Sequence, residues 1–106
     1  MKDKRNDYYV YYFTALSWCG PCIQMHAEVW PNPEVKKQLS YFKTGELKVF
    51  PEERVKTDQD VRKFYERFKV TSLPTIIIVD GNGKEIKRTS GYKTVDQVKK
   101  FLEVGK

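Results

Sequence analysis

The chain has 106 residues, of which 40% are hydrophobic and 32% are charged. This length and this share of apolar residues predict a single domain over 1–106 and exclude a disordered chain. The formal net charge is +6, but the basic residues are spread from Lys2 to Lys106. We therefore expect a solvated basic surface and no specific nucleic acid, with an electrostatic preference for acidic partners as the alternative. We also expect the chain to be a monomer.

No segment approaches the ~20 apolar residues that a membrane span needs. The first seven residues are mostly charged, and the apolar stretch from Tyr8 to Leu16 is rich in tyrosine and lacks a small-residue cleavage site. The sequence therefore favours a cytoplasmic location. A periplasmic or secreted protein whose signal segment has been removed is the alternative.

The first predicted elements are a strand over 8–14 and a helix over 19–30. The strand is rich in β-forming residues, and we assign its tyrosines to packing: Tyr8, Tyr9, Tyr11 and Tyr12. Ile23, Ala27 and Trp30 recur at helical spacing, which predicts that these three side chains face the core.

Shorter elements follow as far as residue 68. Asn32 is the predicted cap of a helix over 34–41, a short strand covers 47–50, and 52–57 is a polar loop. The next helix begins after Asp58 or Asp60, and its inward face carries four residues: Val61, Phe64, Tyr65 and Phe68.

The last third of the chain is predicted as a hairpin and a helix. The continuous apolar run 75–79 is typical of a strand covered on both faces, and the turn at 80–83 leads to a strand over 84–89 with Ile86 inward. Thr94 is the cap of the final helix, whose inward stripe is Val95, Val98, Phe101 and Leu102. This order predicts an α/β fold with a four-stranded mixed sheet and helices on both faces. We expect the first two strands to be parallel and the last two to form a hairpin antiparallel to them.

Both cysteines lie in one motif, Cys19-Gly20-Pro21-Cys22, between a strand and a helix. A disulfide that closes so small a loop adds little stability, so the spacing indicates redox chemistry. Unpaired N–H groups and the helix dipole favour a thiolate on Cys19, and Cys22 lies one turn later. Zinc needs about four ligands and only His26 adds to the two thiols. A zinc site and an inert cysteine pair are therefore the weaker alternatives.

The segment Trp18-Cys19-Gly20-Pro21-Cys22 is identical to the active-site motif of thioredoxins. Leu73-Pro74-Thr75, ahead of a strand, resembles the cis-proline loop of that family, and Gly91 after the hairpin also fits. The resemblance covers nearly the whole chain from Tyr8 on. It implies a thioredoxin-like fold that lacks the N-terminal strand and helix.

Roles for individual residues follow from this resemblance. Cys19 would be the nucleophile and Cys22 the resolving cysteine, with Trp18 on the contact surface. Pro74 would face the disulfide, and the backbone of Leu73 would pair with an extended substrate segment.

A second resemblance is to the thiol-donating periplasmic domain of bacterial transmembrane disulfide-interchange proteins. The segment 30–35 after the active-site helix and the stretch 60–75 carry this similarity. It favours the periplasmic alternative.

The sequence departs from thioredoxins at two positions. Phe13 stands six residues before Cys19, where thioredoxins carry a buried acid, and Ala27 replaces the helix-kinking proline. We assign Glu52 and Glu53 to a solvated loop. The alternative is that they take the place of the missing acid. His26 is read as a packing residue, with tuning of a thiol pKa as the alternative.

Together these features predict an enzyme that reduces protein disulfides by dithiol exchange, without a metal or other cofactor. Its partners would be disulfide-containing proteins and a separate reductase or dithiol donor. A disulfide oxidant or isomerase uses the same chemistry and stays an alternative. The alternative of a different class is a binding or accessory module with little redox turnover.

Overall fold

A computed structural model describes residues 4–104. The elements in chain order are a 3₁₀ helix (Lys4–Asp7), β1 (Tyr9–Thr14), α1 (Gly20–Glu28), α2 (Pro33–Leu39), β2 (Lys48–Pro51), a second 3₁₀ helix (Glu52–Arg54), α3 (Gln59–Arg67), β3 (Thr75–Val79), β4 (Glu85–Ser90) and α4 (Val95–Phe101). The predicted elements are confirmed with small shifts at their ends, except that the polar loop after β2 begins with the second 3₁₀ helix. None of the helices in this part of the chain is long and apolar enough to cross a bilayer.

The four strands form one mixed sheet in the order β2-β1-β3-β4. β1 and β2 are parallel, β3 is antiparallel to β1, and β4 is antiparallel to β3. The predicted four-stranded mixed sheet is therefore confirmed. We expected both hairpin strands to run antiparallel to β1 and β2, and this was wrong for β4. Because β4 is antiparallel to β3 and β3 is antiparallel to β1, β4 runs in the same direction as β1.

Helices cover both faces of this sheet, as predicted. One face packs against α1, α2 and α4 through a cluster that includes Val10, Tyr12, Met25, Val35, Leu39, Ile76, Ile78, Val98 and Leu102. The other face packs against α3 through Tyr11, Phe13, Phe50, Val61, Phe68, Ile77 and Val79. Residues of β1 and β3 alternate between the two clusters because successive side chains of a strand point to opposite faces.

The inward face of α1 differs from the prediction. Ile23 is 44% exposed and Ala27 is also exposed, whereas Cys22 and Met25 are fully buried and Val29 is 1% exposed. The buried stripe of α1 therefore runs from Cys22 through Met25 and Val29, which lie three and seven residues after Cys22 along one face of the helix.

The predicted inward position of Ile86 was also wrong, since its side chain is 41% exposed. Val79 pairs with Glu85 and Ile78 pairs with Lys87. One residue of β4 is therefore left without a partner opposite it. The exposed fraction alternates without a break along β4, so Ile86 lies on the same uncovered face of this outer strand as Arg88 and Ser90.

Side-chain caps fix where three helices begin. The Asn32 carboxamide oxygen accepts hydrogen bonds at the start of α2, and the Asp58 carboxylate, not that of Asp60, does so for α3. Thr94 and Gln97 form a capping box on α4, in which each side chain accepts from the other's backbone N–H. The helix that carries the cysteines is capped differently, by sulfur.

Candidate active site

Cys19 and Cys22 are joined by a disulfide, with their Cα atoms 5.2 Å apart. Cys19 is the N-cap of α1, and its Sγ accepts a hydrogen bond from the backbone N–H of Cys22 at 3.3 Å. Cys19 is 5% exposed and Cys22 is fully buried. The sulfur of Cys19 therefore lies nearer the solvent and against the N-terminal amides of the helix, as the sequence predicts.

The residues around the disulfide are open to solvent. Gly20 and Pro21 are exposed, and Trp18 is 62% exposed. A Cβ atom added at Gly20 would meet nothing within 4 Å. The rim of the disulfide is therefore an accessible surface with one large aromatic side chain.

Glu52 and Glu53 hydrogen-bond to the loop that precedes Cys19. The Glu53 carboxylate accepts from the backbone N–H groups of Leu16 and Ser17 at 3.2 and 2.9 Å and from the Ser17 hydroxyl at 2.5 Å. Glu52 accepts from the indole N–H of Trp18 at 3.1 Å. Glu52 is half-buried and Glu53 is exposed, but both side chains hold the active-site loop and do not project freely into solvent.

These hydrogen bonds also set the charge of Glu53. The Ser17 hydroxyl and then the Ser17 backbone N–H lower the pKa of Glu53 from its ordinary 4.5 to about 2. Among residues 4–104, neither Glu52 nor Glu53 hydrogen-bonds to a cysteine. Sequence reasoning missed this loop-holding contact. The predicted parallel pairing of the first two strands could have indicated this contact. It places Thr14 beside Pro51 and so brings together the segments that follow β1 and β2.

The second motif lies against the disulfide. The Leu73–Pro74 peptide bond is cis, as the resemblance implied. Leu73 packs on Cys19 and Cys22, and the Pro74 carbonyl accepts from the N–H of Gly91 at 2.8 Å. Gly91 has a φ of +88°, which glycine adopts without steric cost.

Thr75 anchors the same loop from its other side. Its hydroxyl hydrogen-bonds to the Ser72 carbonyl at 2.7 Å and to the Ser90 hydroxyl at 2.8 Å. A cavity of about 400 Å³ opens next to this loop, with Trp18, Tyr65 and Leu73 in its wall. The structure thus brings most of the predicted site residues to one end of the sheet.

The position of the missing acid is filled by aromatic packing. Phe13 is fully buried, and its ring centroid lies 4.9 Å from that of Phe50 and 5.0 Å from that of Tyr65. The Tyr65 hydroxyl donates to the backbone carbonyls of Phe50 at 2.7 Å and Thr14 at 3.3 Å. Burial raises the pKa of Tyr65 well above its ordinary value. Phe13 and its aromatic neighbours therefore offer no carboxylate at this position.

His26 lines a cavity whose wall includes neither cysteine. Its side chain is exposed, and Tyr12 and Trp30 line the same cavity. Trp30 itself is buried at 8% exposure, which confirms its assignment to the core. Within residues 4–104, no three His, Cys, Asp or Glu side chains are gathered as metal ligands would be.

Several known proteins with related sequences carry names that describe disulfide exchange. The disulfide bond reductase DsbH of Chlamydia pneumoniae is 27% identical over 101 residues, which cover 88% of this chain and 61% of that protein. The thiol:disulfide interchange protein DsbD of Haemophilus influenzae is 26% identical over 88 residues, which cover 81% of this chain and 14% of that protein. The chain therefore spans less than two thirds of the length of either relative.

Solved structures share the fold. The C-terminal domain of Neisseria meningitidis DsbD in its reduced form has a TM-score of 0.74 at 17% identity, covering 96% of this chain and 84% of that one. Fasciola hepatica thioredoxin has a TM-score of 0.67 at 21% identity, with 97% and 85% covered. The model of the thioredoxin-like domain family matches residues 2–106. Because that match includes nearly every residue, this chain belongs to the thioredoxin-like domain family.

Proposed function

We propose that this protein is a thiol–disulfide oxidoreductase that reduces protein disulfides through Cys19 and Cys22. The observation that carries the proposal is the sulfur of Cys19 at the N-cap of α1, bonded to a more deeply buried Cys22. Unpaired amides and the positive end of the helix dipole stabilise a thiolate at that position. The names of the curated relatives support the same chemistry.

The reaction proceeds in two exchanges. The Cys19 thiolate attacks one sulfur of the substrate disulfide, forms a mixed disulfide and releases the other substrate sulfur as a thiolate. The Cys22 thiolate then attacks Sγ of Cys19 and releases the second substrate sulfur. The substrate gains two electrons and two protons, and the protein is left with the Cys19–Cys22 disulfide. A separate reductase or dithiol donor returns the protein to its dithiol form, and no metal or organic cofactor takes part.

The proton of Cys22 needs an acceptor in the second exchange. Phe13 offers none, and a carboxylate with a pKa of about 2, such as Glu53, is a weak base. Water and the departing substrate thiolate can both accept the proton. We assign the proton to the substrate thiolate, because a thiolate, with an ordinary pKa of about 8.5, is a far stronger base than neutral water.

Substrates bind across the exposed rim of the disulfide. Trp18 supplies an aromatic contact surface, and the backbone of Leu73 pairs with an extended segment of the substrate by strand addition. Pro74 faces the disulfide, while Thr75 and Gly91 hold its loop in place. Gly20 and Pro21 keep the ring between the cysteines short and stiff.

We also propose that residues 1–106 act as one domain and as a monomer, outside the cytoplasm. The cytoplasmic location favoured by the sequence has no support in the comparisons. Relatives named for disulfide interchange and the resemblance to a periplasmic thiol-donating domain favour the periplasmic alternative. Fractionation of the native cells, followed by detection of this chain, tests the location.

The test of function is insulin reduction with dithiothreitol as the donor, followed by trapping. We expect Cys22→Ser to accumulate a mixed disulfide with the substrate, because the resolving thiol is gone, and Cys19→Ser to trap none. The Cys19→Ser/Cys22→Ser double variant is the control and should be inactive. Turnover equal to that of dithiothreitol alone would refute the proposal and favour a binding module.

The reduction potential of the Cys19–Cys22 disulfide separates a reductant from an oxidant. Equilibration with glutathione measures this potential. We expect a value close to that of thioredoxin, about −270 mV, and far from that of a strong oxidant, about −120 mV. A potential near the second value would overturn the reducing assignment while leaving the exchange chemistry intact.

A further inference from the structure

The cavity of about 400 Å³ beside the disulfide opens on the face of the sheet that α3 covers. Trp18, the neighbour of Cys19 in the chain, forms one wall, and Leu73, which packs on both cysteines, forms another. The cavity therefore borders the rim at which substrates react. A substrate whose cysteine reaches Cys19 brings a nearby side chain to the mouth of this cavity.

Much of the remaining wall is apolar. Val55, Tyr65 and Val70 are half-buried and pack against the cluster between α3 and the sheet. The Tyr65 hydroxyl donates to the carbonyls of Phe50 and Thr14, so it is directed at the backbone of the strands. Such a wall suits the methylene stem of a long side chain.

Glu52 adds a negative charge to this wall. Its carboxylate accepts from the indole N–H of Trp18 at 3.1 Å, which fixes it beside an aromatic ring. Among residues 4–104, no lysine or arginine lines the cavity, and Glu52 forms no salt bridge with another of these residues. Burial is the largest cause that raises the pKa of Tyr65, and the charges of Glu52 and Glu53 raise it further. The negative field of these carboxylates therefore reaches the cavity wall.

We propose that Glu52 is a specificity-determining residue, which selects protein disulfides with an arginine or lysine two residues from the cysteine under attack. This inference rests on the proposed reduction of protein disulfides. A basic side chain places its methylene stem on the apolar wall and its charge beside a carboxylate. The ring of Trp18, next to Glu52, adds a cation–π surface that favours arginine in particular.

The position of the basic residue follows from strand addition. Successive side chains of an extended segment point to opposite faces, so the residues two before and two after a cysteine point the same way as the cysteine. When the substrate cysteine faces Cys19, those two side chains face the protein as well. They are the positions from which a side chain can enter the cavity.

The charge of the whole chain predicts the opposite preference. Its formal net charge is +6, which attracts acidic substrates at long range. Salt screens that attraction beyond about 8 Å under physiological conditions, whereas a contact with Glu52 acts at hydrogen-bond distance. The local charge should therefore decide the order in which substrates react.

The test measures how fast reduced Cys22→Ser forms mixed disulfides with short peptides. Each peptide carries a residue X two positions before and two positions after its single cysteine, with alanine elsewhere, and the cysteine is blocked as its methyl disulfide. The Cys19 thiolate attacks the peptide sulfur, the disulfide bond to the methylthio group breaks, and methanethiolate leaves. Mass spectrometry of acid-quenched samples quantifies the peptide adduct. Each rate is divided by the rate of the same peptide with dithiothreitol, which removes intrinsic differences between peptides.

The first comparison is between arginine and citrulline at X, because citrulline has nearly the same shape and no charge. We expect the arginine peptide to react about five-fold faster, the equivalent of one ion pair at a half-buried site. Adding Glu52→Gln should abolish this preference and leave the citrulline rate unchanged, because the glutamine carbonyl still accepts from Trp18. Glu28→Gln, at the exposed end of α1 away from Cys19, changes the net charge equally and should keep the parental preference.

A peptide with glutamate at X provides a test that needs no change at Glu52. Repulsion from Glu52 should make this peptide slower than the citrulline peptide, whereas the net charge of the chain would make it faster. A faster glutamate peptide, equal rates for arginine and citrulline, or a preference that survives Glu52→Gln would each overturn the inference. The proposed function would stand in those three cases, because adducts still form. The absence of every peptide adduct would overturn the proposed function and this inference with it.

Discussion

Tyr65→Phe removes the hydroxyl that ties α3 to the ends of β1 and β2. That hydroxyl donates to the Phe50 carbonyl at 2.7 Å and also approaches the Thr14 carbonyl at 3.3 Å. The phenylalanine ring fills the same space against Phe13, so the change isolates the hydrogen bond from packing. We expect a loss of stability with no change in fold.

The size of the loss follows from the burial of these groups. A neutral hydrogen bond contributes about 0.5–1.5 kcal/mol, and a buried carbonyl left without its donor costs about 1–3 kcal/mol. We expect the free energy of unfolding to fall by about 1–2 kcal/mol. For a domain of this size each kcal/mol lowers Tm by about 4–8 °C, so the melting temperature should fall by at least about 4 °C.

Urea and thermal unfolding, followed by circular dichroism, measure this loss. Tyr92→Phe is the control, because Tyr92 is 36% exposed and its hydroxyl makes no hydrogen bond within residues 4–104. A melting temperature for Tyr65→Phe equal to that of Tyr92→Phe would refute the hydrogen bond.

The same hydroxyl predicts an alkaline effect. Burial raises the pKa of Tyr65 in the folded protein above its ordinary 10.0, so the unfolded chain loses that proton first. The stability that this group contributes is complete below pH about 10 and is lost as the pH rises through the folded pKa. Tyr65→Phe should therefore lose stability less steeply at alkaline pH. An unchanged slope would contradict the raised pKa.

The remaining predictions concern the helix face, the loop contact and the glycine behind the proline loop. Met25→Ala should cost about 2–5 kcal/mol in urea unfolding, because its side chain is fully buried, while Ile23→Ala, at 44% exposure, should cost less than half as much; equal losses would restore the original assignment of the inward face. Glu53 has a folded pKa of about 2 against 4.5, so its contribution to stability is present above pH 4.5 and is lost as the pH falls toward 2. Glu53→Gln should flatten the dependence of the urea midpoint on pH in that window, and an unchanged dependence would contradict the lowered pKa of Glu53. Gly91→Ala should cost roughly 1–2 kcal/mol, because a side chain is disfavoured at the φ of +88°, and a parental urea midpoint would contradict that conformation.

Much of this fold could be predicted because local signals agree with the final packing. Four of the five residues in Thr75–Val79 are apolar, and this run is the inner strand β3, buried throughout. Thr94 and Gln97 are spaced as a capping box and form one. The cysteine pair was placed correctly because its chemistry depends on residues three apart at a helix start, which the sequence shows directly.

Other features depend on contacts between distant segments, which periodicity does not encode. Glu53 contacts Ser17, which lies 36 residues earlier in the chain. Ile86 lies on the uncovered face of the outer strand β4, and which face of an outer strand is covered depends on the packing of distant helices rather than on residue type. For α1, helical spacing fits both the stripe with Ile23 and the stripe with Met25, and packing against the sheet buries the second.

The outer strand β2 has a consequence for behaviour at high concentration. β2 ends the sheet, so one side of its backbone has no neighbouring strand within residues 4–104. It is only four residues long, it begins with the exposed Lys48, and it ends with Pro51, which has no N–H to donate. Short length, a lysine charge and a proline each discourage one sheet from adding to another. This edge is therefore protected against sheet-to-sheet association between copies of the chain at high concentration.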